Sequence, residues 1–230
     1  MLRTVSSLAL QLLIWLPIVG LSLLLAANSL PYFTFDTTYS LLTEKQDALS
    51  DPIYLPIFYL HVLSGIPCLL LPVLNFSKRV LRNKRNLHVM LGRWYSKVTL
   101  FVVAPTGMYL AWYAKGGATG KISFWALGIL LATFTWLGIR AIKQKDVAGH
   151  IDWMTRSYAM ATSALTFRVF HILFYALYMP YETNYQTSLV LSLIVNMGLG
   201  ELAIRWFRKN NTYVKSTSPS TRLQLNSEKQ

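Results

Sequence analysis

Six stretches of this chain are long and apolar enough to cross a lipid bilayer as α-helices. They cover residues 8–27, 53–76, 90–113, 122–139, 153–178 and 187–207. The hydrocarbon core of a bilayer is about 30 Å thick and takes about 20 helical residues. Such runs leave little sequence for anything else in a chain of 230 residues. The expected architecture is therefore all-α: a polytopic membrane helix bundle of about six transmembrane helices. One membrane domain over residues 1–209 and a disordered cytoplasmic tail over 210–230 account for the whole chain. The tail is polar and lacks the apolar residues a core needs.

Composition agrees. Hydrophobic residues make up 53% and charged residues 13%, against about 25% charged in soluble domains. The first run could be confused with a cleaved secretory signal. It is about 20 residues long, beyond the usual 7–15 of a signal's apolar region, so an uncleaved first helix is expected. The single cysteine, Cys68, excludes an intrachain disulfide and a cysteine metal cluster. Inside an apolar run it reads as a small packing residue.

A net charge of +13 could signal a nucleic-acid partner, but the basic residues sit between apolar runs. No zinc finger or phosphate-binding glycine loop accompanies them. Topology explains them better. With the N-terminus, the loops after the second and fourth runs, and the tail on one side, that side holds 18 of the 22 Lys and Arg. Lys45, Lys115 and Lys121 fall on the other side, and Arg168 lies inside the fifth run. By the positive-inside rule both termini are cytoplasmic. The expected location is the cell membrane, a bacterial inner membrane, with several passes. The bilayer itself is the first partner, and basic loops suit anionic headgroups.

Four histidines occur: His61, His88, His150 and His171. His61 stands eight residues from the outer start of the second run, roughly 12 Å deep, and His171 seven from the outer end of the fifth, roughly 11 Å deep. His88 and His150 stand at the inner boundary, just before the third and fifth runs. The four thus form two pairs, one per leaflet, as a di-haem membrane cytochrome needs. Gly65 and Gly92, one turn after His61 and His88, let a flat cofactor or a helix come close. Against this, His150 and His171 are 21 residues apart, roughly 31 Å along one helix, which puts the inner pair at the membrane edge. For His61 and His171 the rival role is hydrogen bonding between helices, and for His88 and His150 it is hydrogen bonding to headgroups or backbone carbonyls.

Arg168 lies three residues before His171, on nearly the same helix face. An arginine inside a membrane should face a partner or a cavity, and no acidic residue lies in the outer half of any run to meet it. A haem propionate or an anionic ligand would serve. Arg156 and Glu201 fall at matched depth near the inner face, which predicts an ion pair. Asp152 is placed to pair with Arg93 and to hold His150 in one tautomer. No hydrolase motif and no His-Glu-x-x-His is present.

Several blocks carry a family resemblance: His61-x-x-x-Gly65, His88-x-x-x-Gly92-Arg93-x-Tyr95, the Gly116-Gly117 turn, and His150-x-x-Trp153-Met154-x-Arg156-Ser157-Tyr158. Together they resemble a family of predicted bacterial and fungal membrane proteins, a domain of unknown function. The resemblance implies a multi-helix membrane protein and no particular activity. It also implies an Arg after the second and third histidines, where this chain has Val89 and Ile151. The histidine layout is similar in kind to that of di-haem b-type cytochromes. Three functions follow as expectations. One is a haem b protein passing electrons across the membrane to a redox partner through His61, His171, His88 and His150. Another is a transporter or small-ligand binder with a pocket of Arg168, His171 and His61. The last is a structural or assembly subunit of a membrane complex.

Overall fold

The computed structural model describes residues 2–38 and 40–210. Among the described residues the structure is helical, with no strand. The α-helices are α1 Leu2–Ser29, α2 Gln46–Leu49, α3 Tyr54–Asn75, α4 Lys78–Asn83, α5 Arg85–Val98, α6 Ala104–Ala111, α7 Gly117–Lys143, α8 Val147–Ala176 and α9 Tyr181–Asn210. Five segments are long and apolar enough to cross a membrane: Leu13–Thr34, Tyr54–Asn75, Gly117–Lys143, Val147–Ala176 and Tyr181–Lys209. From residue 211 onward, the expected tail lies outside the described residues.

The third apolar run is built differently from the other five. It forms α5, a π-helical turn over Thr99–Val103, and α6 in unbroken succession. Pro105 stands at the start of α6. It has no N–H for the carbonyl four residues back, and a widened turn is one way a helix absorbs that gap. The next residue, Thr106, donates from Oγ1 to the Val102 carbonyl at 2.6 Å, one residue past the carbonyl that Pro105 leaves without its donor.

Several helices run past their apolar stretches because polar residues finish them. Asp146 caps α8 by accepting from Gly149 N at 2.9 Å, so α8 starts at Val147, six residues before the apolar run. Gly116 and Gly117 make the turn into α7 with φ of 81° and 57°, the left-handed region that glycine enters without strain. In the bundle, α8 packs between α7 and α9, and α3 packs against α1, α5 and α6. Gly138 lets α7 and α8 approach closely: a Cβ there would stand 2.6 Å from Met154 Sδ.

At the end of the bundle bearing residues 30–53, the chain between α1 and α3 is folded. Turns of 3-10 helix over Leu30–Thr34 and Ser40–Lys45 lead into α2. Leu42 and Ala48 are buried against Tyr54 and Phe58 of α3, with Tyr32 and Leu49 packed alongside. Asp51 ties this cap down. Its Oδ2 accepts from the Tyr109 and Tyr113 hydroxyls at 2.5 and 2.6 Å, and its Oδ1 accepts from Ile53 N at 2.9 Å. Those donors hold the Asp51 carboxyl below its usual pKa, Tyr109 first among them. Lys115 pairs with Glu44 across the same cap.

Candidate functional site

The polar side chains inside the bundle fall into three groups. The first joins α5, α7 and α8. Tyr95 Oη lies 2.7 Å from Ser157 Oγ, and Ser157 Oγ lies 2.7 Å from Thr135 Oγ1. Thr135 uses its own proton on the Leu131 carbonyl, so Ser157 must donate to Thr135, and Tyr95 must donate to Ser157. The chain of donation therefore has one direction, from α5 through α8 into the backbone of α7. Beside it, Tyr158 Oη donates to the Leu69 carbonyl of α3 at 2.8 Å, three residues before Pro72. The carbonyl that Pro72 leaves without its ladder donor is that of Cys68, one residue earlier, so the Tyr158 bond is a separate tie between α8 and α3.

The second group runs the length of the α8–α9 contact. His171 meets Asn184. Thr166 and Ser163 meet Asn196, whose Nδ2 donates to them at 2.9 and 3.1 Å. Arg156 meets Glu201 through two bonds, Nε to Oε1 at 2.5 Å and Nη2 to Oε2 at 3.0 Å. Asp152 meets Arg208. The pairs step down one helix as they step up the other, which is the register of an antiparallel pair. The Arg156–Glu201 ion pair is the one expected from matched depth. The Asp152 expectation is corrected: its partner is Arg208, not Arg93, because α9 continues past its apolar run and carries Arg208 back to α8.

The third group is the histidines. His61 Nδ1 lies 2.9 Å from Thr106 Oγ1, and its ring rests against α6, where a Cβ on Gly107 would stand 3.0 Å from His61 Cε1. Thr106 donates elsewhere, so His61 Nδ1 is the donor. His171 Nδ1 lies 3.0 Å from Asn184 Oδ1, and Asn184 Nδ2 donates to the His171 carbonyl at 3.0 Å. The second bond orients the amide, so His171 Nδ1 is also a donor. The His171 ring stacks on Phe167 and meets Tyr181 and Tyr185 edge-on. His150 Nδ1 lies 2.8 Å from the Gly138 carbonyl and must donate to it. This corrects the expectation that Asp152 sets the His150 tautomer. All three imidazoles thus carry a proton on Nδ1, as inferred from the network, and their Nε2 atoms have no hydrogen-bond partner among the described residues.

His88 differs. Its Nδ1 is buried with no hydrogen-bond partner. Burial holds its pKa below the ordinary value, and the nearby charge of His150 pushes the same way, so the inner two rings stand within electrostatic reach of each other. Asn75, with its amide turned to match its neighbours, donates to the His88 carbonyl at 3.3 Å and accepts from Gly92 N at 3.0 Å. The α3 surface one turn past His61 is open, with nothing within 4 Å of a Cβ on Gly65.

The structure gives the two outer histidines different neighbours: α6 for His61 and α9 for His171. Arg168 is exposed, donates from Nη1 to the Ala164 carbonyl of its own helix at 2.7 Å, and lies within electrostatic reach of Tyr32 and Tyr185. Among the described residues it pairs with no carboxylate. Nor do those residues hold a group of three or more His, Cys, Asp or Glu placed to bind a metal ion.

The family of predicted membrane proteins called DUF2306 matches residues 58–204, well over half of the chain. The protein belongs to that family. The matched segment holds all four histidines, the Tyr95–Ser157–Thr135 chain and most of the α8–α9 ladder. It therefore covers the interior of the bundle and leaves out α1 and the cap. Among curated proteins, and among solved structures, none matches the chain.

Proposed function

We propose that this DUF2306 protein crosses the bacterial inner membrane six times, with both termini cytoplasmic, and binds b-type haem through its histidines to pass electrons across the bilayer. The observation that carries this reading is the shared state of His61, His150 and His171. Each has Nδ1 committed as a donor to Thr106, Gly138 or Asn184. A hydrogen-bond acceptor on one ring nitrogen is the arrangement that orients a ligating histidine and leaves the other nitrogen for the metal. A bis-histidine iron needs only two such nitrogens, so it does not call for a cluster of three. His88 and His150 suit the inner level, since each lies within electrostatic reach of the other and His88 keeps a buried nitrogen without a partner. His61 and His171 suit the outer level, where Arg168 would offer its charge to a propionate. Bound haem would supply one-electron chemistry whose potential follows its axial ligands and surroundings.

The test is the absorption spectrum of protein purified from haem-replete cells. A reduced α-band and a pyridine haemochrome signal are expected, lost in part in His88→Ala or His150→Ala and further in His61→Ala. Folded protein free of haem overturns the reading. If the same variants then only loosen the bundle, the histidines are packing groups of a structural subunit. Arg168 favours a second reading, a binder of small anionic ligands. A haem-free protein whose thermal stability rises with a carboxylate or phosphate ligand, but not in Arg168→Ala, would support that one instead.

A further inference from the structure

Among the described residues one face of α5 is covered by no other helix, and it combines cations with large apolar side chains. Arg85, Arg93 and Lys97 lie on it with Met90, Trp94 and Phe101, lining a groove of about 740 Å³ that continues into the π turn. The apolar members are strongly exposed, Trp94 by 61% and Phe101 by 77%. The three cations have no carboxylate partner among the described residues. The sequence explains why: no Asp or Glu occurs between Asp51 and Asp146. Yet Lys97 stands eight residues beyond Val89 and only two before the π turn, well into the third apolar run. A cation on a lipid-facing surface needs an anionic neighbour or a path to the headgroups, and among the described residues Lys97 pairs with no such anion.

We propose that the groove is a binding site for an anionic phospholipid of the leaflet that this end of α5 reaches. The phosphodiester would sit among Arg85, Arg93 and Lys97. Trp94 would lie at headgroup level, as interfacial tryptophans do, and an acyl chain would follow Met90 and Phe101 toward the membrane centre. Basic pockets on one side of a bundle bind anionic headgroups by this combination of charge and apolar wall. The proposal uses no histidine and is independent of haem.

Native mass spectrometry of the full chain, released from neutral detergent with added phosphatidylglycerol or phosphatidylcholine, tests it. Phosphatidylglycerol adducts are expected at much lower lipid concentration than phosphatidylcholine adducts. Arg93→Gln and Lys97→Gln should each weaken that preference about five-fold, and Arg85→Gln/Arg93→Gln/Lys97→Gln should abolish it. The control Arg140→Gln/Lys143→Gln/Lys145→Gln removes the same charge from the exposed end of α7 and the turn after it, and should keep the preference. Equal loss in the control, or no loss in the single variants, overturns the site in favour of diffuse surface charge. Efficient disulfide-linked dimers of Met90→Cys in membranes would also overturn it, since a second copy would then cover the face.

Discussion

Replacing Ser157 with alanine should damage the bundle more than replacing Tyr95 with phenylalanine, although both changes delete one hydroxyl. The directional chain gives the reason. Tyr95→Phe removes the first donor and leaves Ser157 still donating to Thr135, so one interhelical bond is lost. Within a bilayer such a bond is worth about 0.6 kcal/mol. Ser157→Ala removes two bonds and also strands the Tyr95 hydroxyl, which is fully enclosed, as Tyr95 is 1% exposed and Ser157 0%. An orphaned buried donor adds about 1–3 kcal/mol, so the single change should reach about 2–4 kcal/mol. In Tyr95→Phe/Ser157→Ala there is no stranded hydroxyl, and the double variant should be more stable than Ser157→Ala alone. The assay is reversible unfolding of the four proteins in mixed micelles with increasing denaturing detergent. Additivity within about 0.5 kcal/mol, or a double variant less stable than Ser157→Ala, would refute both the direction of donation and the claim that this chain links three helices.

Glu201→Gln should lower stability by about 1–2 kcal/mol, below the 3–5 of a fully buried pair, because the Arg156 and Glu201 side chains are 20% and 38% exposed; thermal unfolding in detergent measures it. Asp51→Asn should loosen the cap, because it weakens the acceptor shared by Tyr109 and Tyr113, and a protease should then cut within residues 36–50 faster while the bundle stays intact. His88 should make stability pH-dependent. Its folded pKa lies below the ordinary histidine value of 6.5, so between the two values the unfolded chain holds more protons than the folded one. The stability due to this neutral ring is full above about pH 6.5, falls as pH drops through that window, and is gone below the folded pKa. Melting temperatures across pH 5–8 should show the fall, and His88→Gln should flatten it.

Translation along a helix can be counted from its end, whereas rotation about its axis cannot, and this separates what the sequence made legible from what it hid. The membrane class and the long helices followed from the apolar runs, since length and hydropathy need no third dimension. Arg156 and Glu201 were legible as partners because both sit a fixed number of residues from the same membrane face. Asp152 was misassigned because Arg208 lies beyond an apolar run, where α9 continues on polar residues that look like tail. Thr106, Thr135 and Asn184 gave no signal of their own. Hydroxyl and amide residues are scattered through all the runs, and only helix phase shows that these three serve His61, Ser157 and His171. Pro105 stands in the sequence, but nothing in its neighbours says whether a helix answers a proline by kinking, by breaking or by a π turn.

The residues that carried the family resemblance divide into two roles once their partners are known. Tyr95, Ser157 and Tyr158 bind helices to one another, Arg156 locks α8 to α9, and Gly92 joins α5 to Asn75 of α3. The histidines, by contrast, each keep at least one ring nitrogen without a protein partner among the described residues. This division makes the proposed function separable from the fold. Ser157→Ala should lower stability while leaving haem per folded molecule unchanged, since Ser157 touches no histidine. Asn184→Leu should do the reverse at the outer level. It removes the acceptor that fixes the His171 tautomer, so the ring can carry its proton on Nε2, and haem content should fall further than stability. If haem content follows stability across both variants, the histidines have no role apart from the scaffold that holds them.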